Sequence, residues 1–387
     1  MKYLSDTSII NKTVLLRCDF NVPVKENVIQ DDSKIIKSLD TINYLLDNNN
    51  KVIILSHFGR IKKEEDKEEN SLMIVYKYLK KFLDLDFIPN PLNLEEVLNN
   101  SEKKCFLVEN TRYTDLPEKL ESKNDLKLAK YWSNFADIFV LDAFGSLHRV
   151  HSSTAGIGKF LPTYFGYLVE SELRNLEVLI NNQDEKSFVV IMGGAKVDDK
   201  IKIIESLLNK CDKLVLTGGI LNSFLKVSGF NIGNSLASND EEVLSRVNFI
   251  LNNYKDKIFF TDRFIIKRDN IIKEIALNEI EDEDIIYDNI TNLKDILKDA
   301  KLVFFNGTCG MYEDKMYKKG TLNLLNELSI SSAKVIIGGG DTVSAVISLG
   351  YENKFNYLSS GGGATLEYVS YGKLKALEWI KENNVNN

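Results

Sequence analysis

Apolar residues in this chain gather into short runs separated by stretches of helical period. In the first half the runs are TVLLRCDF (13–20), KVIILSH (51–57), CFLVENTR (105–112) and DIFVLDAFG (137–145). In the second half they are FVVIMGG (188–194), KLVLTGG (213–219), KLVFFNGTCG (301–310), KVIIGGGD (334–341) and YLSSGGG (357–363). Such runs, alternating with helical patterns, predict buried strands of parallel sheets flanked by helices. The segment LPTYFGYLVESELRNLEVLI (161–180) differs, because after Pro162 and Gly166 its apolar residues recur at helical spacing. It predicts a helix between the two sheets. By contrast, IKKEEDKEEN (61–70) has no apolar period and predicts a solvated loop.

The strand ends of the two halves carry different chemistry. In the first half they are polar: Asp19 and Asn21, then His57 and Arg60, then Arg112, then His148, Arg149 and His151. In open α/β sheets the loops after the strand C-termini line the ligand crevice, so these groups are expected to converge there. Only 8 of the 49 basic residues are Arg, so each Arg marks a position where a planar bidentate grip on an anion is worth having. Arg17 lies inside a strand and is expected to be the buried partner of a carboxylate.

In the second half the strand ends are glycine. Glycine at a strand-to-helix turn permits positive φ and close backbone approach, which suits a polyphosphate held through N–H groups. Neither G-x-x-x-x-G-K-[ST] nor G-x-G-x-x-G occurs, so Walker A and dinucleotide fingerprints are absent. After Gly193 and Gly194 a helix is expected to begin near Ala195, placing Lys196 and Lys200 on one face beside its N-terminus. Two solvated surface lysines are the alternative. Asp341, at the start of the helix after GGG, is read either as a ligand of Mg²⁺ on a nucleotide phosphate or as an ordinary helix cap. Glu313 is a candidate acceptor for ribose hydroxyls.

A length of 387 residues exceeds one ordinary core and predicts two domains. Their expected extents are residues 1–165, then 166–371 beginning with the long helix, followed by a tail at 372–387. Net charge of −7 argues against nucleic acid or an anionic membrane as partner, and no apolar run approaches a membrane span. A monomeric cytoplasmic enzyme is expected. The four cysteines are widely spaced without a CxxC pair, so they are expected to be reduced thiols, mostly in buried strands. A basic crevice in one half and a glycine-lined nucleotide site in the other point to phosphoryl transfer between a small acid and a nucleotide.

The motifs RCDFNVP (17–23), SHFGR (56–60), ENTRY (109–113), DAFGSLHRVHSS (142–153), GGAKVDDKI (193–201), NGTCGMYE (306–313), GGGDT (338–342) and SSGGGATLE (359–367) occur in this order. With these motifs the chain resembles the phosphoglycerate kinases over nearly its whole length. The resemblance implies two Rossmann-like parallel-sheet domains joined by a long interdomain helix, with a cleft and hinge between them. It also implies the glycolytic reaction of 1,3-bisphosphoglycerate with Mg-ADP to give 3-phosphoglycerate and ATP. By motif position Asp19, Asn21, Lys34, His57, Arg60, Arg112 and Arg149 would hold the acid, with His148 and His151 close by. The nucleotide would lie on Gly194, Lys196, Lys200, Gly218, Gly219, Asn306, Glu313, Gly338, Gly339, Gly340, Asp341 and Thr342. Lys34, Lys196, Lys200 and the backbone of Gly361, Gly362 and Gly363 would act on the transferring phosphoryl group, with Asp341 on Mg²⁺. The tail would fold back onto the N-terminal domain.

Four positions depart from the family pattern. Lys34 stands where the family has Arg, Thr308 and Cys309 replace Pro and Met, Ile61 replaces a common Pro, and the tail lacks Leu-Pro-Gly. Two other readings compete with an active kinase: a catalytically degenerate nucleotide-binding relative, motivated by Lys34 and NGTCG, and an α/β ligase using an acyl phosphate. Two lysines at the transfer point argue against the first. The second lacks a site for another acceptor.

Overall fold

A computed structural model describes residues 1–181 and 187–385, which form two compact units: Met1–Arg174 with Lys373–Asn387, and Asn175–Gly372. The last two residues of the tail lie outside the described residues.

The first unit is built on a parallel sheet of β1 (Thr13–Cys18), β2 (Lys51–Leu55), β3 (Asp86–Ile88), β4 (Cys105–Val108), β5 (Ile138–Asp142) and β6 (Thr163–Phe165) in the order β3-β4-β2-β1-β5-β6. Val14 lies opposite Val52 on one side and Ile138 on the other, so β1 is central. Its residues from Val14 to Cys18 are all buried, which is why the run reads as continuously apolar rather than alternating. The four strands expected from the pattern are all present and shorter than their apolar runs. The chain leaves the ladder early at their ends, where the N–H of Phe20 donates to Ser56 Oγ at 2.9 Å and the N–H of Thr111 to the Ser56 carbonyl at 3.0 Å. Strands β3 and β6, three residues each at the sheet edges, are too short to show a pattern. Helix α1 (Ser33–Asp47) packs Ile35, Ile42 and Leu45 into this unit's core. The charged segment 61–70 is not wholly loop: Asp66–Glu69 forms one helical turn, and Asp66 accepts from the N–H groups of Lys62 and Lys63 at 2.7 and 3.1 Å.

The long helix, α2 (Tyr167–Ile180), starts after Gly166, and the division between the units falls within it. Its first turn is tied to the sheet: Val169 N–H donates to Asp142 Oδ1 at 3.1 Å and Tyr167 N–H to Thr41 Oγ1 at 3.1 Å.

The second unit repeats the plan with β7 (Phe188–Met192), β8 (Lys213–Leu216), β9 (Ile258–Phe260), β13 (Leu302–Asn306), β14 (Lys334–Ile337) and β15 (Tyr357–Leu358), parallel in the order β9-β8-β7-β13-β14-β15. Between β9 and β13 the chain makes an antiparallel sheet of β10 (Arg263–Arg268), β11 (Ile271–Ala276) and β12 (Ile285–Ile290), ordered β11-β10-β12. Helices α3 (Ile201–Leu208), α4 (Gly218–Val227), α5 (Gly340–Ser348) and α6 (Gly363–Tyr371) follow the parallel strands. Helix α7 (Lys375–Asn383) belongs to the first unit, where the N–H of Ala376 donates to the carbonyl of Leu147 at 3.0 Å and Asn384 Nδ2 to Thr163 Oγ1 at 2.7 Å. All four cysteines are free and buried; Cys18 and Cys105 lie in strands, Cys211 and Cys309 outside them.

The antiparallel sheet is fastened by Arg268, whose Nε and Nη2 reach Asp284 at 2.8 and 2.5 Å, while Asp284 also accepts from the N–H of Glu281 at 2.8 Å. Hydrogen bonds from Arg268 hold the Asp284 carboxyl below its ordinary range. A depressed carboxyl stabilises above its unfolded value and loses that contribution as pH falls through the folded one. Asp284→Ala should therefore lower stability by about 1–3 kcal/mol at pH 7 and by less at pH 3, read from urea unfolding at the two pH values.

Candidate active site

In the first unit strand order reverses between β1 and β5, and the loops after β1, β2, β4 and β5 bring charged groups to the strand C-termini. Lys34, at the start of α1, reaches Asp19 Oδ2 at 3.2 Å and the carbonyl of Asn21 at 3.3 Å. Burial opposes the charge on Asp19, yet Lys34, His57 and Arg17 outweigh it and hold the carboxyl below its ordinary value. Asn21 Oδ1 in turn accepts from the N–H of Gly59 at 2.9 Å, fastening the loop after β1 to the loop after β2. Arg112 donates from Nη1 to the Gly59 carbonyl, while its buried Nε has no partner among the described residues. A buried, unpaired guanidinium N–H at the strand ends is a donor awaiting an anion.

The histidines lie among these cations and stay neutral. Burial, then Arg112, Arg17 and Arg149, push His151 down to about 3, and burial with Arg149 lowers His148, whose buried Nδ1 has no partner. Arg60 and Arg149 are exposed. Charge interactions link Arg149 to Arg112, His148 and His151. Arg17 departs from expectation: among the described residues its guanidinium meets no carboxylate directly but reaches Ser153 Oγ at 2.8 Å, the Cys18 carbonyl and His57 Nδ1 at 3.0 Å.

In the second unit the order reverses between β7 and β13, and a cavity of about 730 Å³ opens at their C-terminal ends. The helix expected from Ala195 begins only at Ile201, because Gly194 takes φ +107° and a turn then closes through N–H bonds from Lys200 and Ile201 to the Val197 carbonyl. The two lysines therefore do not share a helical face. Lys196 is exposed on the turn, whereas Lys200 folds inward, donating to the Gly193 carbonyl at 2.9 Å and to Asn306 Oδ1 at 2.7 Å. Burial pushes the Lys200 ammonium down to about 8, against the opposing charges of Asp341 and Asp199.

The glycines at these turns divide into two kinds. A Cβ on Gly219 would stand 2.1 Å from the Ala195 carbonyl oxygen, one on Gly307 2.1 Å from Gly193, and one on Gly218 2.8 Å from the Thr308 carbonyl oxygen. Gly338 and Gly339 are likewise confined, by Phe304 at 2.8 Å and Asn306 Nδ2 at 2.3 Å. These residues let one turn lie on another. Gly340, Gly362 and Gly363 have nothing within 4 Å of their Cβ positions and border the cavity, where backbone is open to a ligand. Gly361 is buried and accepts from the N–H of Ala364 at 3.0 Å. Asn306, which lines the cavity, donates from Nδ2 to the Gly338 carbonyl at 2.7 Å; Thr342 Oγ1 accepts from the N–H of Gly307 at 2.7 Å.

Asp341 is exposed in the first turn of α5, and Gly339, not Asp341, occupies the N-cap. Of its two alternative readings, the cap is thus excluded. Its carboxylate borders the cavity, as does exposed Glu313. Sequence reasoning missed the apolar wall of this cavity, formed by Leu236, Ile285, Tyr287, Met311 and Leu366. These residues come from loops, the antiparallel sheet and a helix, so no sequence pattern joins them; Leu236 and Met311 are exposed apolar side chains in the structure. Thr308 and Cys309 serve the fold of the loop: Thr308 accepts at its carbonyl from the N–H of Gly194 at 3.1 Å, and Cys309 is buried.

A doubly wound parallel unit with a glycine-lined cavity at its switch point defines a nucleotide-binding α/β protein. The phosphoglycerate kinase family model matches residues 4–373, and on that match the chain belongs to the phosphoglycerate kinase family. It is 40% identical over 402 residues to a phosphoglycerate kinase of Fusobacterium nucleatum, covering 98% of this chain and 99% of that one. It is 39% identical over 395 residues to one of Staphylococcus epidermidis, with the same coverage. The solved phosphoglycerate kinase of Coxiella burnetii matches with a TM-score of 0.85 at 30% identity, covering 99% of each chain. The chain is a phosphotransferase, and no comparison supports a catalytically degenerate relative.

Gly219→Ala should destabilise the protein by about 1–3 kcal/mol because backbone must move, while Gly363→Ala should leave the melting temperature unchanged and raise KM for nucleotide. Equal melting temperatures for the two variants would refute this division of the glycines. As pH rises through about 8 the free enzyme loses the Lys200 charge, so kcat/KM for nucleotide should fall there, and Lys200→Arg should move the fall to higher pH. A fall at the same pH in both proteins would assign it to another group.

Proposed function

We propose that the chain catalyses reversible phosphoryl transfer between 3-phosphoglycerate and Mg-ATP. In the ATP-consuming direction a carboxylate oxygen of 3-phosphoglycerate bonds to the γ-phosphorus as the bond to the ADP oxygen breaks, giving 1,3-bisphosphoglycerate. The nucleophile is already ionised at neutral pH, so no general base is required and catalysis rests on positioning and charge. The observation that carries the reading is the half-buried Lys200 ammonium held at the strand switch point of a glycine-walled cavity.

In this reading Lys34, His57, Arg60, Arg112 and Arg149 hold the acid, with Asp19 and Asn21 fixing Lys34 and the loop after β2. His148 and His151 add neutral polar groups beside them. Lys196 and Lys200 meet the phosphates, and Gly362 and Gly363 offer N–H groups to the transferring group; Gly361, expected beside them, is buried off the cavity lining with its N–H donating to Ser359 Oγ at 3.4 Å. The base lies on the apolar wall, with Glu313 accepting from the ribose. Mg²⁺ fits Asp341: a single exposed carboxylate beside an open backbone turn suits an ion that keeps waters and is otherwise held by phosphate oxygens. The ion would neutralise phosphate charge there. Among the described residues no cluster of three or more His, Cys, Asp or Glu is placed to hold a metal alone. Because acid and nucleotide are read onto different units, turnover would need a hinge that brings them together. No described helix is long and apolar enough to cross a membrane, and we read the enzyme as a cytoplasmic monomer.

A coupled assay with ATP, Mg²⁺ and 3-phosphoglycerate tests the reading, and no turnover would overturn it. Lys34→Ala removes the cation that pairs with Asp19 and should raise KM for 3-phosphoglycerate at least about tenfold, whereas Lys34→Arg should match or exceed wild type. Unchanged kinetics in Lys34→Ala would remove Lys34 from the site. Asp341→Ala should weaken use of Mg-ADP and leave the affinity for 3-phosphoglycerate unaltered, measured by calorimetry; equal loss of both would make the residue structural.

A further inference from the structure

Arg17 lies wholly buried in β1, and its guanidinium spans three partners. Its Nε donates to Ser153 Oγ at 2.8 Å, Nη1 donates to the carbonyl of Cys18, and Nη2 lies 3.0 Å from His57 Nδ1. A guanidinium only donates, so Nδ1 of His57 must be the bare acceptor and the ring proton must sit on Nε2. We propose that Arg17 is a positioning residue that holds His57 as its neutral Nε2–H tautomer, so that a single directed N–H faces the acid substrate. The proposal rests on reading the first unit as the acid-binding unit.

The anchorage behind Arg17 makes this orientation firm. The Ser153 hydroxyl accepts from Arg17 and donates to Glu121 Oε1, and the Ser153 N–H donates to Glu121 Oε2 at 3.0 Å. Thr111 Oγ1 adds a bond to Glu121 Oε1 at 3.3 Å. Every link points one way: Glu121 accepts from Ser153, Ser153 from Arg17, and His57 from Arg17. The anchored end does not reorganise cheaply, since Glu121, Ser153 and Arg17 are fully buried, and only the His57 end is partly exposed. The charged groups that act on His57 are Arg17, Arg112 and Lys34, which disfavour a proton, and Asp19, which favours one. Burial adds to the three cations, and the imidazole is held well below its ordinary value.

The tautomer decides what the ring can do. With Nδ1 occupied by Arg17, Nε2 is the one polar atom left, and no hydrogen bond from a described residue engages it. As N–H it donates to a carboxylate or phosphate oxygen. The opposite tautomer would aim a lone pair at that oxygen and repel it. Arg17 thus acts on the anion through His57.

Nitrogen-15 NMR of the histidine-labelled, ligand-free protein tests the proposal, with His57 assigned by its absence from His57→Gln. A pyridine-type Nδ1 and a pyrrole-type Nε2 through neutral pH are expected; a protonated Nδ1, in either the other tautomer or the imidazolium, would overturn the proposal. Arg17→Met, if it folds, should lose the single tautomer and raise KM for 3-phosphoglycerate at least about tenfold with KM for nucleotide unchanged. Retention of the single tautomer would show that Arg17 does not set it. Gln places its amide N–H near the position of Nε2 and Asn near that of Nδ1, so His57→Asn should have at least about tenfold higher KM for 3-phosphoglycerate than His57→Gln. Equal values would overturn the assignment of the donor. The tautomer is read without turnover, so its failure is distinguishable from failure of the kinase reading.

Discussion

The second unit depends on one half-buried cation, Lys200. Where β7 and β13 part, the Lys200 ammonium binds the Gly193 carbonyl and the Asn306 side chain, and the N–H of Gly193 binds the Asn306 carbonyl at 2.8 Å. Taking an ammonium out of water is costly unless its donors are met, and here two oxygens meet it. Lys200 also lines the cavity. The close stacking of the turns follows, because Gly193, Gly218, Gly219 and Gly307 must let backbone pass within distances that exclude a Cβ. Removing a ligand's charge from solvent at such a point strengthens every interaction with it.

The first unit solves the opposite problem, keeping several cations together without a bound anion. Asp19 neutralises Lys34, Glu121 lies behind Ser153 and Arg17, and the histidines stay uncharged. Among the buried polar atoms without a partner in the described residues is the Nε of Arg112, a group that can only donate. A buried unmatched guanidinium N–H is preorganised for an anion, since its desolvation has been met at folding rather than at binding.

The parallel strands were legible because both sheet faces are covered, which turns each strand into a continuous apolar run. The three-residue edge strands, and the antiparallel β10–β12 sheet with its Arg268–Asp284 pair, carry no such signature. Candidate glycines were visible in the strand-end pattern, but their two kinds were not: only the three-dimensional contacts separate Gly219, pressed on Ala195, from Gly363, open to the cavity. The helix near Ala195 was misplaced because local pattern cannot show that Gly194 at positive φ feeds a turn before Ile201. That turn changes the chemistry, since it half-buries Lys200 and leaves Lys196 outside. Arg17 was recognised as buried, yet its side-chain partners, Ser153 and His57, lie far along the chain, and the Glu121 carboxylate is reached only through the Ser153 hydroxyl.

Lys200 is proposed to act on the transferring phosphoryl group, beyond its part in joining the two strand ends. A single-turnover measurement of ATP with saturating 3-phosphoglycerate in Lys200→Met, alongside the nucleotide dissociation constant and melting temperature, tests it most directly. The phosphoryl-transfer step should slow by about a hundredfold or more while nucleotide affinity changes far less, as expected for loss of one stabiliser of transition-state charge. A transfer step as fast as in the wild type would contradict the account.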